Sequence, residues 1–192
     1  YKGDYAEDVD PATQGATPER TWVLKTDEDG FTYLQDNYKV SGDEFYYNST
    51  NLPTIPIGTV TLRETKAPEG YKLNDETFIV KVISEGSDEF LSTYQEPIVP
   101  EQVIKGKIRI AKKDKDTGKV IQVAGTVFDI YFNGQKVSSM TTDETGYATS
   151  EDLAYGEYVI KEAKAPNGYV VDVDQEAVVD ITAEKTYDTE LS

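Results

Sequence analysis

The chain has 192 residues, with 36 acidic side chains against 19 basic ones, a net charge of −17 and a pI near 4.3; this excess of negative charge repels nucleic acid and anionic membranes. It contains neither cysteine nor histidine, which excludes disulfides, thiolate metal sites and Ser-His-Asp hydrolases and removes the commonest general base and zinc ligand. No apolar run approaches membrane-spanning length and no signal peptide is visible, so the sequence reads as an excised or mature soluble piece holding one large domain or two smaller ones.

Residues 3–20, GDYAEDVDPATQGATPER, form a long polar lead-in. Trp22 in the short run TWVL reads as core, and the turn Asp27-Glu28-Asp29-Gly30 follows it. After a polar, tyrosine-rich stretch, period-two patterning takes over. Val60, Leu62 and Glu64 share one strand face, and Phe78, Val80 and Val82 share another. Prolines in EPIVPEQVIKG, residues 96–106, interrupt the pattern and mark an extended, fairly stiff connection. Beyond it Ile108, Ile110 and Lys112 alternate with Lys107, Arg109 and Ala111. Phe128, Ile130 and Phe132 make the next face, then Tyr158, Ile160 and Glu162, then Ala177, Val179 and Ile181. Turns such as Asn133-Gly134 and Asp143-Glu144-Thr145-Gly146 separate these strands. No segment carries a helical stripe. Short strands at this spacing predict two antiparallel β-sandwiches, arranged end to end, over residues 1–98 and 105–192.

An internal repeat supports that division. TLRETKAPEGY at 61–71 and VIKEAKAPNGY at 159–169 agree at six of eleven positions, at an offset of 98. The turns Thr26–Gly30 and Thr142–Gly146 match at an offset of 116, so the first domain carries an insertion of 18 residues, placed at about 35–52. Carrying the larger offset back from Lys112 puts the first domain's equivalent strand before residue 1. The first domain is therefore expected to lack its initial strand or strands, with Tyr1 joining where the second strand ends and an open sheet edge alongside. Within the repeated phrase proline stops a ladder, glycine permits a positive-φ turn, and alternation points Glu64 and Glu162 inward. A buried carboxylate must be protonated or partnered.

The phrase G-x-[YV]-x-[LI]-x-E-x-x-A-P-x-G-Y resembles the E-box of Cna-B, or SpaA-type, domains of Gram-positive surface adhesins and pilins, which have a prealbumin-like, reverse-Ig sandwich. Gly58, Glu64, Ala67, Pro68, Gly70 and Tyr71 carry it in one copy, and Gly156, Glu162, Ala165, Pro166, Gly168 and Tyr169 in the other. IRIAKKDKDTGKVIQVAGTVFDI, which opens the second domain, looks like the family's first two strands. The resemblance implies that Lys112 is the nucleophile of an intramolecular isopeptide bond, that Glu162 shuttles protons for it, and that Glu64 is the equivalent acid of the first domain. Amines attack only when neutral, and burial disfavours the charged form of amine and carboxyl alike, so the chemistry suits a core site. The acceptor departs from the family's pattern. With Tyr187, Thr189 and Leu191 inward, the expected position falls after Ser192; Asp188 is the nearby acid of suitable chemistry but belongs to the opposite face. The first domain offers Gln95 where asparagine is expected.

These features imply a cell-wall-attached, extracellular stalk or shaft module, not an enzyme beyond a single autocatalytic turnover, with no cofactor. Its partners would be neighbouring domains of the same surface protein or pilus subunits, with no role for nucleic acid or membrane. The alternative is a binding module for a host matrix protein or glycan, using the insertion and its Tyr46-Tyr47 pair as an exposed aromatic surface. A carbohydrate-active enzyme would need paired carboxylates in a cleft, and Glu64 and Glu162 stand alone in their strands. Asp114-Lys115-Asp116-Thr117-Gly118 faintly resembles a calcium loop, but its glycine is misplaced and no glutamate follows at the required distance, so it reads as a turn.

Overall fold

A computed structural model describes residues 1–83 and 97–192. The chain forms two compact units, one comprising Tyr1–Thr65 and Asn74–Pro100, the other Lys66–Leu73 and Glu101–Ser192. Apart from one 3₁₀ turn at Pro11–Gln14, every regular element among the described residues is a strand.

In the first unit β1 (Trp22–Leu24) pairs with β2 (Lys39–Gly42), β3 (Tyr46–Tyr47) with β4 (Pro53–Thr54), and β5 (Gly58–Arg63) with a later strand, Thr77–Val82. All three ladders are antiparallel. Residues 35–52, where the insertion is expected, hold β2, β3 and the turn into β4; Asn48 holds that turn, its Oδ1 accepting from the amides of Thr50 and Leu52 at 3.0 and 2.9 Å. Trp22 is half-buried rather than central. It packs on Phe45 and Tyr46, with ring centroids 5.9 and 6.1 Å away, and Arg20 lies over the Tyr46 ring at 3.8 Å. This patch substitutes for a deep core, because Phe45, Val82 and Pro11 are the buried apolar side chains of this unit among the described residues.

The expected face of β5 is correspondingly shallow. Val60, Leu62 and Glu64 are half-buried, and Thr59 is the residue sealed from water. Its cover is Tyr1: the Tyr1 nitrogen donates to Thr59 O at 2.8 Å, and the Thr59 amide donates to Tyr1 O at 3.0 Å. In an antiparallel strand both backbone groups of a residue point to one side, so these bonds mark the edge of β5 opposite its ladder. Beyond Tyr1, no described residue continues a strand along that edge.

In the second unit the short strands β6 (Tyr71–Lys72) and β8 (Gln102–Val103) pair with each other, with β7 being the Thr77–Val82 strand of the first unit. β9 (Lys105–Lys112), β10 (Val127–Phe132), β11 (Gln135–Thr141), β12 (Tyr147–Thr149), β13 (Leu153–Ala154), β14 (Gly156–Lys164), β15 (Glu176–Ile181) and β16 (Thr186–Leu191) build the sandwich. One sheet runs β11-β10-β14-β15, entirely antiparallel. In the other, β12 and β13 take successive parts of one edge of β9 while β16 takes the other edge, parallel to it. The first and last strands of the sandwich are thus neighbours running the same way, the one departure from antiparallel pairing.

Alternation fills the space between the sheets. Ile108, Ile110, Phe128, Ile130, Ile160 and Ile181 are fully buried, and Tyr158, Val179, Met140 and Leu191 nearly so. The two aspartate-glycine turns share one design. Asp27 Oδ1 accepts from the amides of Asp29 and Phe31, and Asp143 Oδ1 from the amide and hydroxyl of Thr145; Gly30 and Gly146 both take φ of 84°. These bonds hold both carboxyls below the usual carboxylate range, the Phe31 amide leading for Asp27 and the Thr145 hydroxyl for Asp143. Asp114 closes its turn in the same way, its Oδ1 accepting from the Asp116 and Thr117 amides and the Thr117 hydroxyl.

Two outcomes are expected. Phe128→Ala removes the largest fully buried side chain and lowers stability in chemical denaturation by about 3–5 kcal/mol. A carboxyl whose folded pKa is depressed stabilises the fold above its unfolded value and loses that contribution as pH falls through the folded one. Asp143→Asn therefore narrows the difference between denaturation midpoints measured at neutral pH and at about pH 3.

Candidate functional site

Strand alternation brings two charged residues into the second core. β9 points Ile108, Ile110 and Lys112 inward, and its next residue, Lys113, turns out to pair with Glu190. β14 points Tyr158, Ile160 and Glu162 inward. Lys112 and Glu162 meet across the sandwich: the ammonium donates to Glu162 Oε2 at 2.9 Å, with side-chain exposures of 5% and 1%. Phe128 stands beside Glu162 in the sheet, and Leu191 beside Lys112. Away from water, each charge is tolerable only with the other present.

The pair does not satisfy Glu162. Its Oε2 also accepts from the Asp172 amide at 3.4 Å, but its Oε1 is buried and has no hydrogen-bond partner among the described residues. A buried acceptor left unmade costs about 1–3 kcal/mol, more when charged. The site therefore has room, chemically, for one more donor.

A polar network extends from here to the end of β16. Asp172 accepts at Oδ2 from Gln175 Nε2 (3.0 Å) and Lys115 Nζ (3.2 Å), and Lys115 is the leading reason its carboxyl lies below the usual range. The Ser192 amide donates to Gln175 Oε1 at 3.1 Å. Sequence reasoning did not single out Asp172 or Gln175. A signal was present for the first: Asn74 and Asp172 each stand three residues beyond the tyrosine of the repeated phrase.

The remaining candidates lie apart. Asp188 is on the outer face of β16, where Arg109 Nε donates to its Oδ1 at 2.5 Å and both side chains are about half exposed or more. Burial alternates along β16 so that Tyr187, Thr189 and Leu191 face in. Asp188 is therefore directed away from Lys112. In the first unit Glu64 is half-buried and accepts from the Asn74 amide at 2.6 Å; no lysine pairs with it among the described residues. Gln95 lies outside the described residues. Tyr46 is half-buried against Arg20 and Trp22, while Tyr47 is 46% exposed.

Comparison with known proteins finds the SpaA family, a prealbumin-like fold domain, matching twice, over residues 9–96 and 106–192. The collagen adhesin of Staphylococcus aureus is 32% identical over 81 residues, which are 40% of this chain and 7% of that protein. The trypsin-resistant surface T6 protein of Streptococcus pyogenes is 34% identical over 67 residues, 34% of this chain and 12% of that protein. Among solved structures, the Bacillus anthracis TIE protein superposes with a TM-score of 0.59 at 26% identity, over 82% of this chain and 28% of that one. The chain spans only a small part of each of these relatives.

The buried pair makes a double-mutant test decisive. Lys112→Ala and Glu162→Ala each strand a charge in the core and cost about 3–5 kcal/mol in urea denaturation. Lys112→Met combined with Glu162→Leu recovers most or all of that loss, whereas Lys113→Ala changes stability by less than about 0.5 kcal/mol.

Proposed function

Because the chain belongs to the SpaA family of prealbumin-like fold domains, we propose that it is a stalk or shaft module of a bacterial cell-surface adhesin or pilus, stabilised by an intramolecular isopeptide bond from Lys112. The observation that carries this reading is the 2.9 Å contact between two buried, oppositely charged side chains, one of which keeps an unpartnered oxygen. A purely structural ion pair has no use for that vacancy, whereas a proton shuttle does.

In the proposed reaction the proton passes from Lys112 to Glu162, leaving a neutral amine. Its lone pair attacks the side-chain carbonyl carbon of an asparagine that follows Ser192 on the inward face of the last strand. Glu162 Oε1 accepts a hydrogen bond from the amide under attack; the carboxyl then delivers its proton to the departing nitrogen and takes up the one that the attacking nitrogen sheds as it becomes the amide N–H. One C–N bond forms, one breaks, and ammonia leaves; an aspartate acceptor would release water instead. Burial supports both halves of the exchange, since it favours neutral over charged forms. Joining the ends of β9 and β16 closes a loop of about 80 residues, worth about 4–5 kcal/mol by analogy with disulfide loop entropy.

We place the module outside the cell, attached to the wall, with neighbouring modules or pilus subunits as its partners. A second reading, host-ligand or glycan binding, draws on the exposure of Tyr47 and Leu52 in the insertion and on a relative described as a collagen adhesin. Under it, deletion of residues 35–52 abolishes binding to immobilised matrix proteins or glycans; under the stalk reading there is no such binding to lose.

Intact mass spectrometry tests the cross-link on a chain extended past Ser192 through the acceptor. The expected mass is one ammonia below the calculated value, Lys112→Ala restores the full mass and lowers the melting temperature, and Lys113→Ala does neither. An unmodified mass for the extended chain rules the bond out.

A further inference from the structure

The repeated phrase ends in the same turn twice. Tyr71 donates its amide to Pro68 O at 3.2 Å, Tyr169 to Pro166 O at 3.1 Å, and the glycines before them have φ of 85° and 89°. The two turns are the same backbone shape with different surroundings.

Around the first, the second unit is built in. Tyr71–Lys72 forms a ladder with Gln102–Val103, and the Ile104 amide donates to Gly70 O at 2.8 Å. By antiparallel alternation the Lys72 amide points at the same partner strand. The Tyr155 amide then donates to Ile104 O at 2.8 Å, its hydroxyl donates to Glu69 Oε1 at 2.6 Å, and its ring lies against Gly70 so closely that a Cβ there would sit 2.9 Å from Cδ1. Gly70 is buried and Lys72 half-buried as a result.

Around the second turn the matching space is open. A Cβ on Gly168 would meet nothing within 4 Å, Tyr169–Val170 belongs to no ladder, and Val170 and Val173 are 88% and 80% exposed. Two β-branched apolar residues, Val170 and Val173, stand in water beside a bare glycine and a backbone that belongs to no ladder. Such a segment is suited to β-augmentation, in which an incoming extended peptide supplies the missing ladder.

We propose that Pro166–Val173 is a docking strand for the lead-in segment of a further SpaA-type module carried downstream in the same polypeptide. That segment would bond Gly168 and Val170 as Gln102–Ile104 bonds Gly70 and Lys72, and a tyrosine equivalent to Tyr155 would close over Gly168. Asn167, at the position of Glu69, offers a side-chain carbonyl to that tyrosine's hydroxyl. The occupant is in cis because the first copy takes its partner from the same chain at a fixed downstream spacing. The inference rests on the repeat and the family, and is independent of the Lys112 chemistry.

Amide hydrogen exchange tests it in the 192-residue chain and in a chain with residues 95–192 repeated after Ser192, which preserves the 98-residue spacing. In the shorter chain the Lys72 amide exchanges slowly and the Val170 amide rapidly. In the longer one Val170 slows by about ten-fold or more, and Tyr155→Ser in the appended copy alone reverses most of that slowing. The single methionine of the sequence gives two folded methyl resonances when the appended copy is native. With both present, unchanged exchange at Val170 overturns the proposal. Slow exchange at Val170 in the shorter chain, accompanied by dimers in sedimentation, also overturns it by assigning the strand to a second copy. In the longer chain the residue after Ser192 is the copy of Gln95, so neither chain carries the asparagine acceptor, and failure of the cross-link and failure of the docking strand read out separately.

Discussion

A lysine and a glutamate buried against each other set the terms for one whole end of the second unit. Removing two charges from water costs several kcal/mol per ion, and the attraction between them repays it only with good geometry and further hydrogen bonds. The chain supplies geometry through two strands in different sheets, β9 ending on Lys112 and β14 carrying Glu162 inward two residues before its end. It supplies one further bond through the Asp172 amide. The loop after β14 and the end of β16 are then drawn in through Asp172, Gln175 and Ser192. Within this network Glu162 Oε1 has no hydrogen-bond partner among the described residues. Such an arrangement is poor economy for stability alone, since apolar residues of similar volume would hold the core at least as well.

The internal repeat separates what the glutamate does everywhere from what it does once. Glu64 and Glu162 each accept from the backbone amide ten residues on, tying the strand end to the far side of the Ala-Pro-x-Gly-Tyr turn. In the first unit that bond is short, 2.6 Å, and among the described residues no cation pairs with the carboxylate. In the second it lengthens to 3.4 Å as the same oxygen turns to Lys112. Closing the turn is therefore the shared role, and the lysine contact is added to it. The two units also differ in what covers their strands. Ile108 through Leu191 furnish a continuous interior for one, whereas the other relies on an aromatic patch around Trp22 and on Tyr1 lying across Thr59.

How much of this was legible in the sequence follows from the range of the interactions involved. Alternation is local, so the inward residues of β9, β14 and β15 could be read directly, Lys112 and Glu162 among them. The fold class followed from the same patterning and from the E-box resemblance, and the matched family agrees with it. Pairing is not local. Nothing in TYDTEL announces a parallel partner eighty residues earlier, and nothing in KAPEGYKL announces that it folds as part of the second unit. The first unit was less legible because its strands are short and half-buried, so the contrast between faces is weak: Thr59 is its most buried strand residue despite a polar side chain. Asp172 and Gln175 escaped notice because each acts through a backbone or amide bond that leaves no periodic trace.

The neighbouring placement of the first and last strands has a mechanical corollary. β9 and β16 run parallel, so the chain enters the sandwich at one end of the shared ladder and leaves at the other. A force that draws those two ends apart slides the strands past each other instead of peeling them open. Six residue pairs, from Lys107 with Thr186 to Lys112 with Leu191, then bear the load at once. Peeling breaks hydrogen bonds one after another; sliding must strain all of them before any yields. The cross-strand ion pairs of Arg109 with Asp188 and Lys113 with Glu190 lie along the same seam, so the seam resists shear through side chains as well as backbone.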